Sequence, residues 1–260
     1  MPPANQATPP LSTTEQTQST PFNTDNLPLH IATLTCVRAG KVMPFTREQT
    51  SAIDKAPIQA PVQVNFMGLV SDEQADRRHH GGPLKAVHQM SPATYAKINA
   101  EFDLNITVGT LGENLTKTPI NGMPDLDESV VCIGDVFRYG EEANTNAVQL
   151  RIVQPRRPCF KINDQINLNR SSKHELPNIA SWVSKNGISG WYFEVVQEGK
   201  ISHDLPVYLV ERPYPFATLE KLWQLVNLRE KVEASVIEPW LEIDCLEDSW
   251  KKQLSRKIKT

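Results

Sequence analysis

Cys159 lies in the stretch Val153–Asn163 (VQPRRPCFKIN), with Arg156, Arg157 and Lys161 close by in the chain. Three cations around one thiol favour the thiolate, the form that attacks electrophiles and binds metals. A thiolate suits soft or borderline metals, and a planar guanidinium suits a phosphate. Pro155 and Pro158 fix their own φ and push the residues before them toward extended geometry. The stretch therefore reads as a rigid loop rather than a helix. Against this stands a plain alternative, a free cysteine acting as a small hydrophobe beside a surface charge run.

A second chemistry-bearing cluster is His79-His80-Gly81-Gly82-Pro83, followed by His88. It reads as a turn with exposed histidines, as a metal site with His88, or as a backbone nest for an anion with an imidazole as proton donor. No thiol pair accompanies the histidines, so a zinc site is poorly supplied with ligands. Asp72 and Asp76 precede the cluster and could orient it, although acidic loops are usually just solvated. Lys55, before Ala56-Pro57, is a phosphate contact or a surface lysine. Glu113 and Asn114 follow Gly112 and could supply polar groups at a strand end or bulge, while Gly134-Asp135 reads first as a structural turn.

The elements that must position these residues are mostly short strands. His30–Val37 is β-branched, Val62–Phe66 alternates apolar and polar, and Val148–Ile152 alternates cleanly and runs straight into the cysteine loop. Further strands are expected around Leu111–Leu115, Val130–Ile133, Val136–Tyr139, Trp191–Val196, Lys200–Ile201 and Val207–Val210. Ser91-Pro92 opens a helix that carries Tyr95, Ile98 and Phe102 inward. Many short strands joined by Gly, Asp and Asn turns point to a barrel or curled sheet. After Pro213 and Pro215 the pattern turns helical. Leu219, Leu222, Trp223 and Val226 follow Thr218 as N-cap, a second segment spans Ala234–Leu241, and a third carries Trp250, Leu254 and Ile258. The expected organisation is a disordered tail over 1–29, a mainly β domain over 30–212 and a small three-helix unit over 213–260, too small to stand alone and so docked on the barrel. The whole is α+β.

The net charge of −3 gives no basis for binding a nucleic acid polymer. Cys36, Cys132, Cys159 and Cys245 are widely spaced without a C-x-x-C pair, which fits a reducing, cytoplasmic compartment. No apolar run approaches the roughly 20 residues that cross a bilayer, so no membrane is expected. The first 29 residues contain no Lys or Arg and have no apolar core, unlike a secretory or organellar leader.

The order of the pieces says more than any one of them. Ser51–Lys55, Gly68–Asp76, His80–Pro83, Ala86–His88, Leu111–Leu115, Ile133–Asp135 and Gln154–Cys159 occur in that sequence. This resembles the MOSC domain family, named for the C-terminal domain of molybdenum cofactor sulfurase. Within it the chain resembles the YiiM-type branch, the 6-N-hydroxylaminopurine resistance proteins, including their C-terminal three-helix extension, over roughly residues 30 to 260. The resemblance implies a β-barrel that binds a molybdenum–pterin cofactor, with Cys159 as the metal's protein ligand. Arg156 and Lys161 would hold the pterin phosphate or the substrate, and Arg157 occupies a variable position. Lys55, Glu113, Asn114 and Asp135 stand at matching positions as cofactor-binding candidates, with Asp72, His80 and His88 as catalytic candidates. Ser71, Leu84 and Gln89 depart from the family's pattern on the substrate side.

The implied activity is reduction of N-hydroxylated compounds, N-hydroxylated purines among them, with His80 and then His88 as proton donors. No G-x-G-x-x-G follows a strand, so electrons are expected from a separate NAD(P)H-dependent reductase partner. Two other readings use the same thiolate: a non-catalytic carrier of molybdenum cofactor or sulfur relay, and a cofactor-free cysteine hydrolase.

Overall fold

The structure, a computed structural model, describes residues 22, 24–76, 81–168 and 177–259. His79 and His80, and all but the end of the expected tail, lie outside the described residues.

The β-branched run anticipated at the start of the fold forms one long strand, β1 (Leu29–Gly40), which the rest of the sheet wraps around. The short strands β2 (Met43–Pro44), β3 (Thr50–Ser51), β4 (Lys55–Pro57), β5 (Val62–Asn65) and β6 (Gly68–Leu69) follow. Then come β7 (Val87–Gln89), β8 (Leu115–Pro119), β9 (Val136–Tyr139), β10 (Val148–Pro155), β11 (Trp191–Gln197), β12 (Gly199–Ile201) and β13 (Leu205–Glu211). Seven of them close a barrel in the order β1-β13-β9-β10-β11-β7-β8 and back to β1. Every contact in that ring is antiparallel except β7 with β8, which run parallel with Gln89 opposite Leu115. Register shifts at Leu34/Cys36 in β1 and Ile152/Gln154 in β10 bend the strands as closure requires. β4 extends the far end of β1, and β12, β5 and β6 form a separate three-stranded sheet.

Two expected strands are turns instead. Val130–Ile133 makes only an isolated bridge from Cys132 to Thr218, because Gly134 at φ +87° and Asp135 fold the chain back there. Its apolar residues are buried as a strand's would be, which is why the pattern misleads. Around Leu111–Leu115 only Leu115 enters a strand. Gly112 takes φ +84°, and a Cβ there would sit 2.8 Å from the Ile53 side chain.

Six α-helices are described: α1 (Pro92–Phe102), α2 (Lys161–Leu168), α3 (Ile179–Asn186), α4 (Leu219–Asn227), α5 (Ala234–Leu241) and α6 (Asp248–Ser255). The first three bury Tyr95, Ile98, Ile162, Ile166, Ile179 and Val183 in a core of their own. The last three share the barrel's core through Leu222, Trp223, Ile237, Trp240, Trp250 and Leu254. Thr218 caps α4, accepting from Lys221 N at 3.3 Å. Ile258 falls beyond α6 and bridges to Val232. The packed chain also starts earlier than the strand pattern suggests: Phe22 is buried, with the Arg212 guanidinium 5.0 Å over its ring.

Two buried charges anchor the barrel wall. Arg212 donates from Nε to Asp135 Oδ1 at 2.8 Å and from Nη2 to Oδ2 at 2.5 Å, and the same carboxylate accepts from Cys132 N at 2.9 Å. Burial would lower the Arg212 pKa, yet Asp135 outweighs it and raises it. The Asp135 carboxylate is thus spent on the wall and stands away from the cleft described below. Asp135→Ala should therefore cost about 3–5 kcal/mol by leaving Arg212 buried and unpaired. Urea unfolding measures it, and a loss under 1 kcal/mol would contradict the structural role.

Candidate functional site

The cysteine loop is clamped at both ends. On the strand side, Arg156 N donates to Gly190 O at 2.8 Å and the Ser189 hydroxyl donates to Arg156 O. On the helix side, Cys159 O accepts from Ile162 N at 3.1 Å, so α2 starts directly behind the cysteine and carries Lys161 as its first residue. The rigid loop is therefore shorter than Val153–Asn163, with β10 running through Pro155 and α2 taking over at Lys161. Asp164 in α2 accepts from Thr46 Oγ1 at 2.6 Å and Arg47 Nη2 at 3.1 Å, which ties the 45–49 turn to the helix.

Cys159 borders a cleft that is open to solvent on one side. Lys55, Asp72, His88, Asn114, Arg156, Lys161 and Tyr192 also line it. Arg157 does not. Its guanidinium stacks 4.0 Å over the Trp250 ring, so two of the three cations next to Cys159 in sequence face the cleft. Lys161 Nζ donates to Thr50 O at 2.9 Å. Arg156 is only 5% exposed, touches Met90 Sδ at 3.9 Å, and has no carboxylate partner among the described residues. A buried guanidinium without a counter-charge is a strong attractor for an anion.

Asp72 and Asn114 build the floor. Asp72 accepts both of its contacts with Lys55 Nζ, one at 2.6 Å, and also accepts from Gly40 N at 2.7 Å. Burial lowers the Lys55 pKa, and the Asp72 carboxylate only partly restores it. Asn114 Nδ2 donates to Asp72 Oδ2 at 3.0 Å and to Arg38 O at 3.1 Å, and its Oδ1 accepts from His88 N at 3.0 Å. Its amide is spent on the scaffold, so it shapes the cleft rather than donating into it.

His88 departs from the expected proton donor. It is 5% exposed, its Nδ1 and Nε2 face the Gly112 and Ser189 carbonyls at 3.4 Å each, and its ring lies 5.2 Å from that of Tyr192. Burial, reinforced by Arg156, pushes its pKa well below 6.5. A ring that stays neutral is a poor acid near neutral pH. His80, the first candidate for that role, lies outside the described residues. Glu113 is not on the cleft: it is buried, accepting from Tyr95 Oη at 2.5 Å and Gly109 N at 2.5 Å. Among the described residues no three His, Cys, Asp or Glu side chains converge on a metal position, and Cys159 is the one thiol among them that lines the cleft. Tyr192 and the Ser189–Gly190 turn went unnoticed in the sequence. Tyr192 stands between Trp191 and Phe193 in β11, and no local signal marks it as lining a cleft.

Comparison with known proteins places this geometry in context. Residues 76–208 match the MOSC domain. A protein of Gibberella moniliformis named "Reductase" is 33% identical over 80% of the chain, which spans only 34% of that longer protein. Protein YiiM of Escherichia coli is 31% identical over 68% of the chain and 71% of its own length. The crystal structure of YiiM from Geobacillus stearothermophilus superposes with a TM-score of 0.66 at 25% identity, covering 88% of this chain and all of that one.

The buried His88 ring makes a pH prediction. The unfolded chain protonates this residue below about 6.5 and the folded chain resists, so its contribution to stability is complete above that pH and is lost as pH falls below it. A ¹⁵N titration of the His88 ring should give a midpoint well below 6.5; a midpoint at or above 6.5 would restore it as a proton donor.

Proposed function

The chain belongs to the MOSC domain family, YiiM-like within it, and from that membership and the cleft at Cys159 we propose a molybdenum-cofactor-dependent reductase of N-hydroxylated compounds. The observation that carries the reading is the pairing, on one cleft, of a half-buried thiol with a buried guanidinium that lacks a counter-charge. Cys159 would be the metal's protein ligand. Arg156, with Lys161 at the mouth, would hold the phosphate of the pterin. The residues present fit such a group, since a phosphate would supply the anion that Arg156 lacks among the described residues. When bound, the cofactor supplies two electrons that break the N–O bond, which with two protons leaves an amine and water.

The chain's own share is binding, orientation and proton delivery. Among the described side chains on the cleft, Lys55 is suited to hold that proton: burial brings its pKa down while Asp72 keeps the ammonium in place. N-hydroxylated purines remain the substrate class that the YiiM-like resemblance suggests. A separate NAD(P)H-dependent reductase is proposed as the source of electrons, and a reducing cytoplasm as the setting. Among the described residues no helix is long and apolar enough to cross a membrane.

The test begins with metal analysis of protein purified from cells able to make molybdenum cofactor. Wild type should carry near-stoichiometric molybdenum and Cys159→Ser should lose it. Equal absence from both sinks the proposal. Loaded wild type should reduce 6-N-hydroxylaminopurine when given an electron donor, whereas bound molybdenum without turnover would favour a carrier. Lys55→Met is expected to keep molybdenum but lose turnover on the order of a hundredfold. Loss of the metal itself would make Lys55 a cofactor-holding residue instead, and undiminished turnover would remove it from the proton path.

A further inference from the structure

The turn that fixes Arg156 is itself held from behind by a carboxylate outside the cleft. Glu128 is 4% exposed, and its Oε1 accepts from Gly190 N at 2.7 Å. Its backbone carbonyl accepts from Glu220 N at 2.8 Å, at the start of α4. Gly190 O in turn accepts from Arg156 N, the Ser189 hydroxyl donates to Arg156 O, and Ser189 O faces the His88 ring. One carboxylate thus stands behind the guanidinium and the imidazole together. The turn has little slack: Gly190 takes φ +78°, and a Cβ there would meet Gln89 O at 2.1 Å.

We propose that Glu128 is a positioning residue for the cleft, holding the backbone of Arg156 in register through Gly190, so that its charge state sets how tightly the cleft binds an anion. This rests on reading Arg156 as the anion-binding group. The charged groups that act on Glu128 are Asp127 on its own segment and Lys97 on α1, while Glu220 at the entry of α4 reaches it only through a backbone N–H. Burial, the largest influence, pushes the Glu128 carboxyl up to about 7, with the Gly190 N–H pulling the other way. Above that pH the carboxylate makes a charge-assisted bond to Gly190, roughly twice as strong as a neutral one. Below it the hold slackens. A direct charge effect has the opposite sign, because an ionised carboxylate repels an anion through space. The sign therefore decides between the two.

The experiment titrates sodium sulfate, whose charge is constant across the range, into the full chain at pH 5.5 to 8.5 by calorimetry. Wild type, Glu128→Gln and Arg156→Gln are compared. The amide variant keeps an acceptor for Gly190 but not the charge, and the ratio of wild type to Glu128→Gln cancels the titration of Lys55 and His88. Wild type is expected to bind about fivefold tighter than Glu128→Gln at pH 8. The ratio should approach one at pH 5.5 with a midpoint near 7, and the Gly190 amide ¹⁵N resonance should shift with the same midpoint only in wild type. A ratio of one throughout, or below one at pH 8, overturns the positioning role. If wild type binds no sulfate, or Arg156→Gln binds it equally well, the anion-site reading fails and takes this proposal with it. Loss of binding in Arg156→Gln with no effect of Glu128→Gln defeats the positioning role alone.

Discussion

The cleft depends on one joint in the barrel wall. β7 and β8 meet in parallel through a single registered pair, Gln89 opposite Leu115, too little ladder to hold two strands by itself. Asn114, just before β8, makes up the difference. Its backbone N–H donates to His88 O at 2.8 Å and its carbonyl accepts from Arg38 N at 2.7 Å, while its side chain bonds Arg38 O, His88 N and Asp72. One residue therefore joins β1, β7 and the Asp72 loop. Everything on the cleft floor is referred to that point. Because Asn114 is buried, each of those bonds would otherwise be an unsatisfied polar group, which makes the joint specific as well as strong.

The charges around this joint divide into two kinds. Lys55 and Asp72 satisfy each other, so their pairing defines the floor without drawing in an ion. Arg156 is buried without such a partner among the described residues. With Lys55 neutralised by Asp72 and Lys161 tied to Thr50 O, Arg156 is the buried cation left open for the anion of the proposed site. The thiol of Cys159 borders the same cleft, one residue ahead of α2, which is fixed by Ile162 and Ile166 in the core it shares with α1 and α3.

The C-terminal helices reach the same region from outside. Trp250 is fully buried, with Nε1 directed at Gln154 Oε1 at 3.4 Å, and Gln154 Nε2 donates to Leu84 O at 2.9 Å on the segment that runs into β7. Arg157 covers the Trp250 ring. Trp223 Nε1 donates to Ser184 O at 2.8 Å in α3. The helices thus brace both the strand that leads into the cysteine loop and the helix layer beneath it. Their entry is tied to Glu128 through Glu220, so the brace and the support behind Arg156 are continuous.

The sequence by itself determined a good deal. The order of short motifs, each weak alone, identified the family resemblance. Period-2 alternation located β5 and β10, and Thr218 marked the start of α4, because these signals are local: a strand's alternation and a helix cap are set by neighbours in the chain. What only the tertiary structure decided is which polar residues face the cleft. Asp72, Glu113 and Asp135 look alike in sequence, each a carboxylate near a glycine turn. Yet Asp72 pairs with Lys55 on the cleft, Glu113 turns to Tyr95, and Asp135 to Arg212. Likewise Arg156 and Arg157 are neighbours just beyond β10, yet one lines the cleft and the other lies over Trp250. Glu128 follows Asp125 and Asp127 in the chain, and only the tertiary structure brings Gly190, 62 residues away, to its carboxylate. Pairing between distant parts of the chain sets the environment of a buried charge, and no local pattern encodes which partner will arrive.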